Sequence, residues 1–119
     1  MEKIAQMALL ADFYGPLLTE KQRDAWDLHF EQDLSLAEIA EVEKTSRQAV
    51  HDLLKRTERI LLEYEEKLGL VQRFINEREK LLEIGELLAA VQEKDFANPA
   101  GLKRHQLIRA KLEDIIQEL

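Results

Sequence analysis

Cysteine is absent from this 119-residue chain. No disulfide framework and no thiolate metal site can form, and the absence fits a reducing cytosol. Glycine and proline are scarce, at four and two, which excludes collagen-like and Pro/Gly-rich low-complexity chains. Aromatic residues make up only 6%. No apolar run approaches the roughly 18–20 residues of a membrane span, so no transmembrane segment is expected. The stretch Met1 to Leu18 has neither a clear basic start nor a small-residue cleavage site, and it is not expected to be a signal peptide. Positive charge is in deficit too. Lys and Arg number 17 against 24 Asp and Glu, a formal charge of −7, which argues against indiscriminate binding to nucleic acid.

What remains is rich in Leu, Glu, Ala, Lys, Arg and Gln, all good helix formers. The length suits one compact domain, or one domain with an appendage. Charge is unevenly spread. Residues 1–43 carry a net charge of −7, residues 44–59 carry +3 and residues 60–119 carry −3. The middle segment sets Lys44, Arg47, Lys55, Arg56 and Arg59 against Asp52 and Glu58. One short basic island therefore sits in an acidic chain. Taken alone, such an island reads as a solvated helix face with i,i+4 pairs.

Start and stop signals divide the chain into six expected helices. Met1 to Tyr14 holds apolar residues at helical spacing on so much of its circumference that it must be covered on more than one side. Gly15-Pro16 ends it. Thr19 with Gln22, and Ser35 with Glu38, read as two capping boxes. They open a helix running to about Glu31 and a short one from Leu36 to Val42. After a turn at Glu43-Lys44-Thr45, Ser46 caps a long fourth helix whose stripe is Val50, Leu53, Leu54, Thr57, Ile60, Leu61, Tyr64 and Leu68. Gly69 is its C-cap. A fifth helix starts at Leu70, the pattern breaks at Lys94 to Ala97, and Asn98-Pro99 opens the sixth. Trp26, Phe30 and Tyr14 read as core. The expected architecture is all-α, with a helix-turn-helix domain plus N-terminal helix over residues 1–68 and a C-terminal helical hairpin over 69–119. The wide seams of the first, fifth and sixth helices exceed what so small a monomer usually hides, so a homodimer is expected.

The segment from Leu36 to Lys55 has helix-turn-helix spacing. Ala40 is small enough for a second helix to cross closely, and Val50 and Leu53 pin that helix. Its outer face is left to Arg47, Gln48, His51 and Lys55, spaced as one exposed edge. Arg can read guanine bidentately, Gln can read adenine and Lys can contact phosphate. Ser46 and the first amides of the helix can meet a phosphate at the positive end of the helix dipole. With Arg56 from the same basic island, these residues are the expected nucleic-acid contacts. The turn carries Lys44 where glycine is common, and Asp52 sets a negative charge within the face.

On these residues the chain resembles known families. Leu18 to Leu61 is similar to region 4 of bacterial sigma factors, through Leu18-Thr19, Trp26, Phe30, Leu36-Ala37-Glu38-Ile39-Ala40, Ser46-Arg47-Gln48-Ala49-Val50 and Leu54-Lys55-Arg56. From Ile4 to Phe74, with Leu9-Leu10-Ala11-Asp12-Phe13-Tyr14-Gly15-Pro16-Leu17-Leu18-Thr19 at its start, it closely resembles the YlxM family of small bacterial proteins. That resemblance implies a cytoplasmic, dimeric, sigma-region-4-like helix-turn-helix protein. It also implies an association, through gene neighbourhood, with the signal recognition particle GTPase and its receptor, and a regulatory role in that targeting pathway. DNA contacts at the residues named above are implied by the sigma-like pattern alone.

No other chemistry stands out. His29, His51 and His105 lack a partner at metal-ligand spacing. There is no Gly-rich phosphate loop, nucleophile elbow or Cys–His pair. No catalytic centre, cofactor or metal is expected. His29 and His105 read as surface or interface residues. Three functions remain open: a regulator that binds duplex DNA as a dimer, a protein-interaction module that docks on the targeting GTPase or its RNA without reading DNA, and a helical dimer with no ligand.

Overall fold

A computed structural model describes residues 2–119. Among them the chain is all-helical: α1 (Lys3–Tyr14), α2 (Glu20–Phe30), α3 (Leu36–Glu43), α4 (Arg47–Leu68), α5 (Leu70–Ala90) and α6 (Pro99–Glu118), with short 3₁₀ turns at Gly15–Leu17 and Glu93–Asp95. Met1, expected in the first helix, lies outside the described residues. Two compact units result, one ending at Val71 and the other running Gln72–Leu119.

The helix starts follow from local hydrogen bonding. The Gln22 N–H donates to Thr19 Oγ1 while the Thr19 N–H donates to Gln22 Oε1, and Ser35 and Glu38 repeat the exchange. Each box satisfies two amides that a helix start otherwise leaves unpaired. Asn98 accepts from the Gly101 N–H ahead of Pro99. The ends are less uniform. Gly69 takes the left-handed conformation (φ 63°, ψ 23°) that closes α4. Gly15 does not: at φ −50° it is right-handed and runs straight into the 3₁₀ turn. The chain turns there because Pro16 lacks an N–H, and the Arg23 guanidinium, at 2.9 and 3.2 Å, binds the Gly15 carbonyl.

In the first unit α4 packs against α1, α2 and α3. Its stripe of Val50, Leu54, Thr57 and Leu61 is buried and meets Met7, Leu10, Tyr14, Trp26, Ile39 and Ala40, which are buried too. Thr57 stays in this apolar setting because its hydroxyl donates to the Leu53 carbonyl at 2.8 Å, so no polar group is orphaned. Leu36, Leu53, Ile60 and Tyr64 are only half-buried, and Leu68 is exposed. Phe30 departs from the core expectation. It stacks on Trp26 with ring centroids 4.2 Å apart, yet its outer surface faces solvent, at 36% exposure. Ile4 is likewise left uncovered, so α1 buries one stripe rather than most of its circumference.

The far end of α4 is tied by a polar knot. The fully buried Tyr14 hydroxyl donates to Glu65 Oε1 at 2.5 Å and accepts from the Leu70 N–H at 3.2 Å. Glu65 Oε1 also accepts from the Val71 N–H at 3.0 Å. A carboxylate and a phenol thus serve the first amides of α5, where negative charge is favoured. The first turn of α5 belongs to the first unit for this reason, with Val71 buried.

In the second unit α6 returns along α5. A Cβ added at Gly85 would sit in ordinary contact with Leu112 and Ile116, at 3.8 and 4.0 Å. Its core is thin. His105, expected at the surface or an interface, is buried within the unit, with its ring 5.2 Å from that of Phe96 and its Nε2 without a hydrogen-bond partner. Leu82, Ile84, Leu87, Ile108 and Ile115 remain exposed.

Two outcomes follow. Burial, and donation to Glu65, push the Tyr14 phenol above its ordinary 10.0. The neutral phenol is the form the fold prefers, so its contribution is complete below about pH 10 and is lost as pH climbs beyond it. Urea unfolding of the wild type is expected to weaken over that range. Tyr14→Phe is expected to lose about 1.5–3 kcal/mol at neutral pH and to lack that alkaline component. The second outcome concerns backbone alone. Lys44 holds φ 55°, ψ 50° as the C-cap of α3, a conformation in which a Cβ costs about 1–2 kcal/mol. Lys44→Gly is expected to stabilise by about 0.5–1 kcal/mol, net of glycine's larger entropy loss. Gly69→Ala, with nothing within 4 Å of the added carbon, is expected to destabilise by about 1 kcal/mol; thermal melts measure both.

Candidate nucleic-acid interface

The helix-turn-helix is α3, a three-residue turn and α4. Ile39 and Ala40 on α3 and Val50 on α4 are buried where the two helices cross. A Cβ is all that Ala40 presents, and a larger side chain there would force the crossing apart. The turn closes although it has no glycine: Lys44 enters the left-handed region, and the Thr45 N–H returns to the Ala40 carbonyl at 3.0 Å. Tertiary contact outweighs the local cost of a side chain at that position.

With one stripe of α4 buried, the opposite face of its first half is open. Ser46, Arg47, Gln48, His51, Lys55 and Arg56 are all exposed. Ser46 acts first as a cap: its Oγ accepts from the Ala49 N–H at 3.0 Å, which leaves only its hydroxyl hydrogen for a phosphate. Arg47, Lys55 and Arg56 have no ion-pair partner among the described residues. Gln48 and His51 are engaged. Gln48 Nε2 donates to Asp52 Oδ1 at 2.9 Å, and His51 Nδ1 lies 3.4 Å from the same oxygen. Asp52 therefore engages both Gln48 and His51 on this exposed face. In the sequence Asp52 stands out only as a negative charge within the face, and its i+4 spacing from Gln48 is the signal for this bond.

The six residues do not share one edge. His51 and Lys55 border a cleft of about 280 Å³ against α1 and α2, lined also by Lys3, Ile4, Phe30 and Glu58. Arg56 borders the opposite side, in a cleft with Lys21, Glu43 and Asp52. Gln48 lies between them on the helix surface by its 100° step. The basic island is thus split by the curvature of α4. Arg56 shares its cleft with two carboxylates and Lys55 shares its own with Glu58, while neither forms an ion pair among the described residues. His29, behind the first cleft, donates from Nδ1 to the Leu34 carbonyl at 3.0 Å, which makes it a brace for the α2–α3 connection. No group of three or more His, Asp or Glu able to hold a metal exists among the described residues, and no helix there is long and apolar enough to cross a membrane.

Comparison with known proteins agrees with this geometry. The UPF0122 family, described as "Putative helix-turn-helix protein, YlxM / p13 like", matches residues 1–98. A UPF0122 protein of Desulforamulus reducens is 44% identical over 119 residues, covering 100% of both chains. One from Clostridium botulinum is 46% identical over 99 residues, 81% of this chain and 91% of its own. One from Bacillus cereus is 49% identical over 98 residues, 82% and 86% respectively. A match of this extent, on a chain whose α3 and α4 cross as such a motif requires, places the protein in the UPF0122 family of YlxM/p13-like helix-turn-helix proteins.

Proposed function

We propose that this chain is a cytoplasmic regulatory protein that contacts duplex DNA through the first half of α4, acts as a homodimer, and takes part in the signal recognition particle targeting pathway. One observation carries the DNA reading. In a chain of net charge −7, the exposed face of the second helix of a helix-turn-helix holds Arg47 and Lys55 without acidic partners. Arg47, in the first turn, is placed to enter a major groove, where its fork suits guanine. Gln48 reaches adenine only by giving up Asp52, which makes that contact conditional. Lys55, about two turns on, suits a phosphate. The dimer is supported by the apolar side chains that α5 and α6 leave exposed, since a thin hairpin core gains from a second copy. The link to the targeting pathway is supported by the resemblance to the YlxM family.

The acidic total favours a second reading. A chain whose charge lies outside one short island repels duplex DNA over most of its surface and attracts basic partners. On that reading the helix-turn-helix docks on the targeting GTPase or its RNA and modulates it, with no DNA site.

Random-site selection at low salt separates the two. The DNA reading expects an enriched site, with Arg47→Ala losing about 1–3 kcal/mol of specific affinity and Lys55→Ala weakening all sequences alike and lowering the salt slope by about one. No enrichment, together with capture of the GTPase by cross-linking in cell extract, would carry the second reading instead.

A further inference from the structure

The cleft between α1, α2 and α4 is the most apolar concavity of the first unit. Met7, Trp26, Leu36 and Leu54 form its floor. Ile4, 71% exposed, and the outer face of Phe30 stand at its rim with nothing packed on them. A large aliphatic chain so open, beside an aromatic one, costs solvation that a partner can recover at about 25 cal/mol per Å². Of the formally charged residues around the opening, Lys3 and Lys55 outnumber the one carboxylate, Glu58, which lies 3.5 Å from Lys3 Nζ and leaves Lys55 unpaired; the imidazoles of His29 and His51 line it as well. In a chain with more acidic than basic residues, this is an apolar groove with a cationic margin.

We propose that this cleft is a docking groove for an amphipathic helix of a partner protein, one that seats leucine-like side chains against Ile4, Phe30 and Trp26 and flanks them with Asp and Glu opposite Lys3 and Lys55. The groove runs between helices, as an i, i+3/i+4, i+7 row of anchors requires, and its charge selects acidic flanks and rejects basic ones. His51 and Lys55 belong both to this rim and to the face assigned to duplex DNA. An occupant therefore covers part of that face; this consequence rests on the duplex reading, whereas occupancy itself does not.

The test is direct binding to the full chain, without DNA. Labelled peptides of about 18 residues, long enough to hold a helix, carry one leucine row and flanks of Glu, Gln or Lys. The Glu-flanked peptide is expected to bind at least about tenfold more tightly than the Lys-flanked one, with the gap closing as salt rises. Ile4→Glu, at an exposed position, is expected to weaken it about tenfold or more, while Val42→Glu, exposed on α3 away from the groove, leaves it unchanged. Equal binding of the Glu and Lys peptides, or wild-type binding by Ile4→Glu, overturns the proposal. So does sedimentation showing a wild-type dimer that Ile4→Glu makes monomeric, since the occupant is then a second copy.

Discussion

A single stripe on α4 organises the first unit. Val50, Leu54, Thr57 and Leu61 face inward together, and α1, α2 and α3 all pack on them. A helix that spends one face on three neighbours has only the opposite face left, so the exposure of Arg47, Gln48 and Lys55 is a geometric consequence of that packing. The stripe tolerates one hydroxyl because Thr57 turns its donor back onto the Leu53 carbonyl. At its far end the Tyr14–Glu65 pair holds the departure of α5, so both ends of α4 are specified, one by Ser46 and the other by a buried phenol.

Electrostatics act locally in this chain. The total of −7 says little about a patch a few ångströms across, because exposed charges more than about 8–10 Å apart are largely screened at physiological salt. What decides the character of the α4 surface is each side chain's nearest partner. Asp52 holds Gln48 and His51, Arg56 shares a cleft with Glu43 and Asp52, Lys55 shares one with Lys3 and Glu58, and Arg47, Lys55 and Arg56 form no ion pair among the described residues. The net +3 over residues 44–59 thus includes three unpaired cations along the first half of α4, Arg47, Lys55 and Arg56, beside one braced amide.

Apolar surface is left over in two places, for different reasons. In the second unit the hairpin is too thin to enclose both seams, and only His105 and Leu112 of α6 become buried. In the first, Ile4 and Phe30 stand beyond the line where α1 and α2 converge on α4. Both residues satisfy helical periodicity; Ile4 stays largely exposed, and Phe30 is covered on one side by Trp26 but open on the other.

Helix starts, the order of the six elements, the crossing at Ala40 and the location of the basic island were legible in the residues themselves. Each depends on interactions within about four positions, such as Thr19 with Gln22, Ser35 with Glu38 and Asn98 with Gly101, or on a stripe along one helix. Other features were decided only when the helices met. Gly15 kept a right-handed backbone and Lys44 accepted a left-handed one, Phe30 became a cleft wall, His105 went inside, and Arg56 parted from Lys55. The reason is the same in every case: spacing states which residues share a face, but the cost of a backbone angle or of an uncovered ring is weighed against contacts from chain segments far away in sequence, and those exist only in the folded molecule.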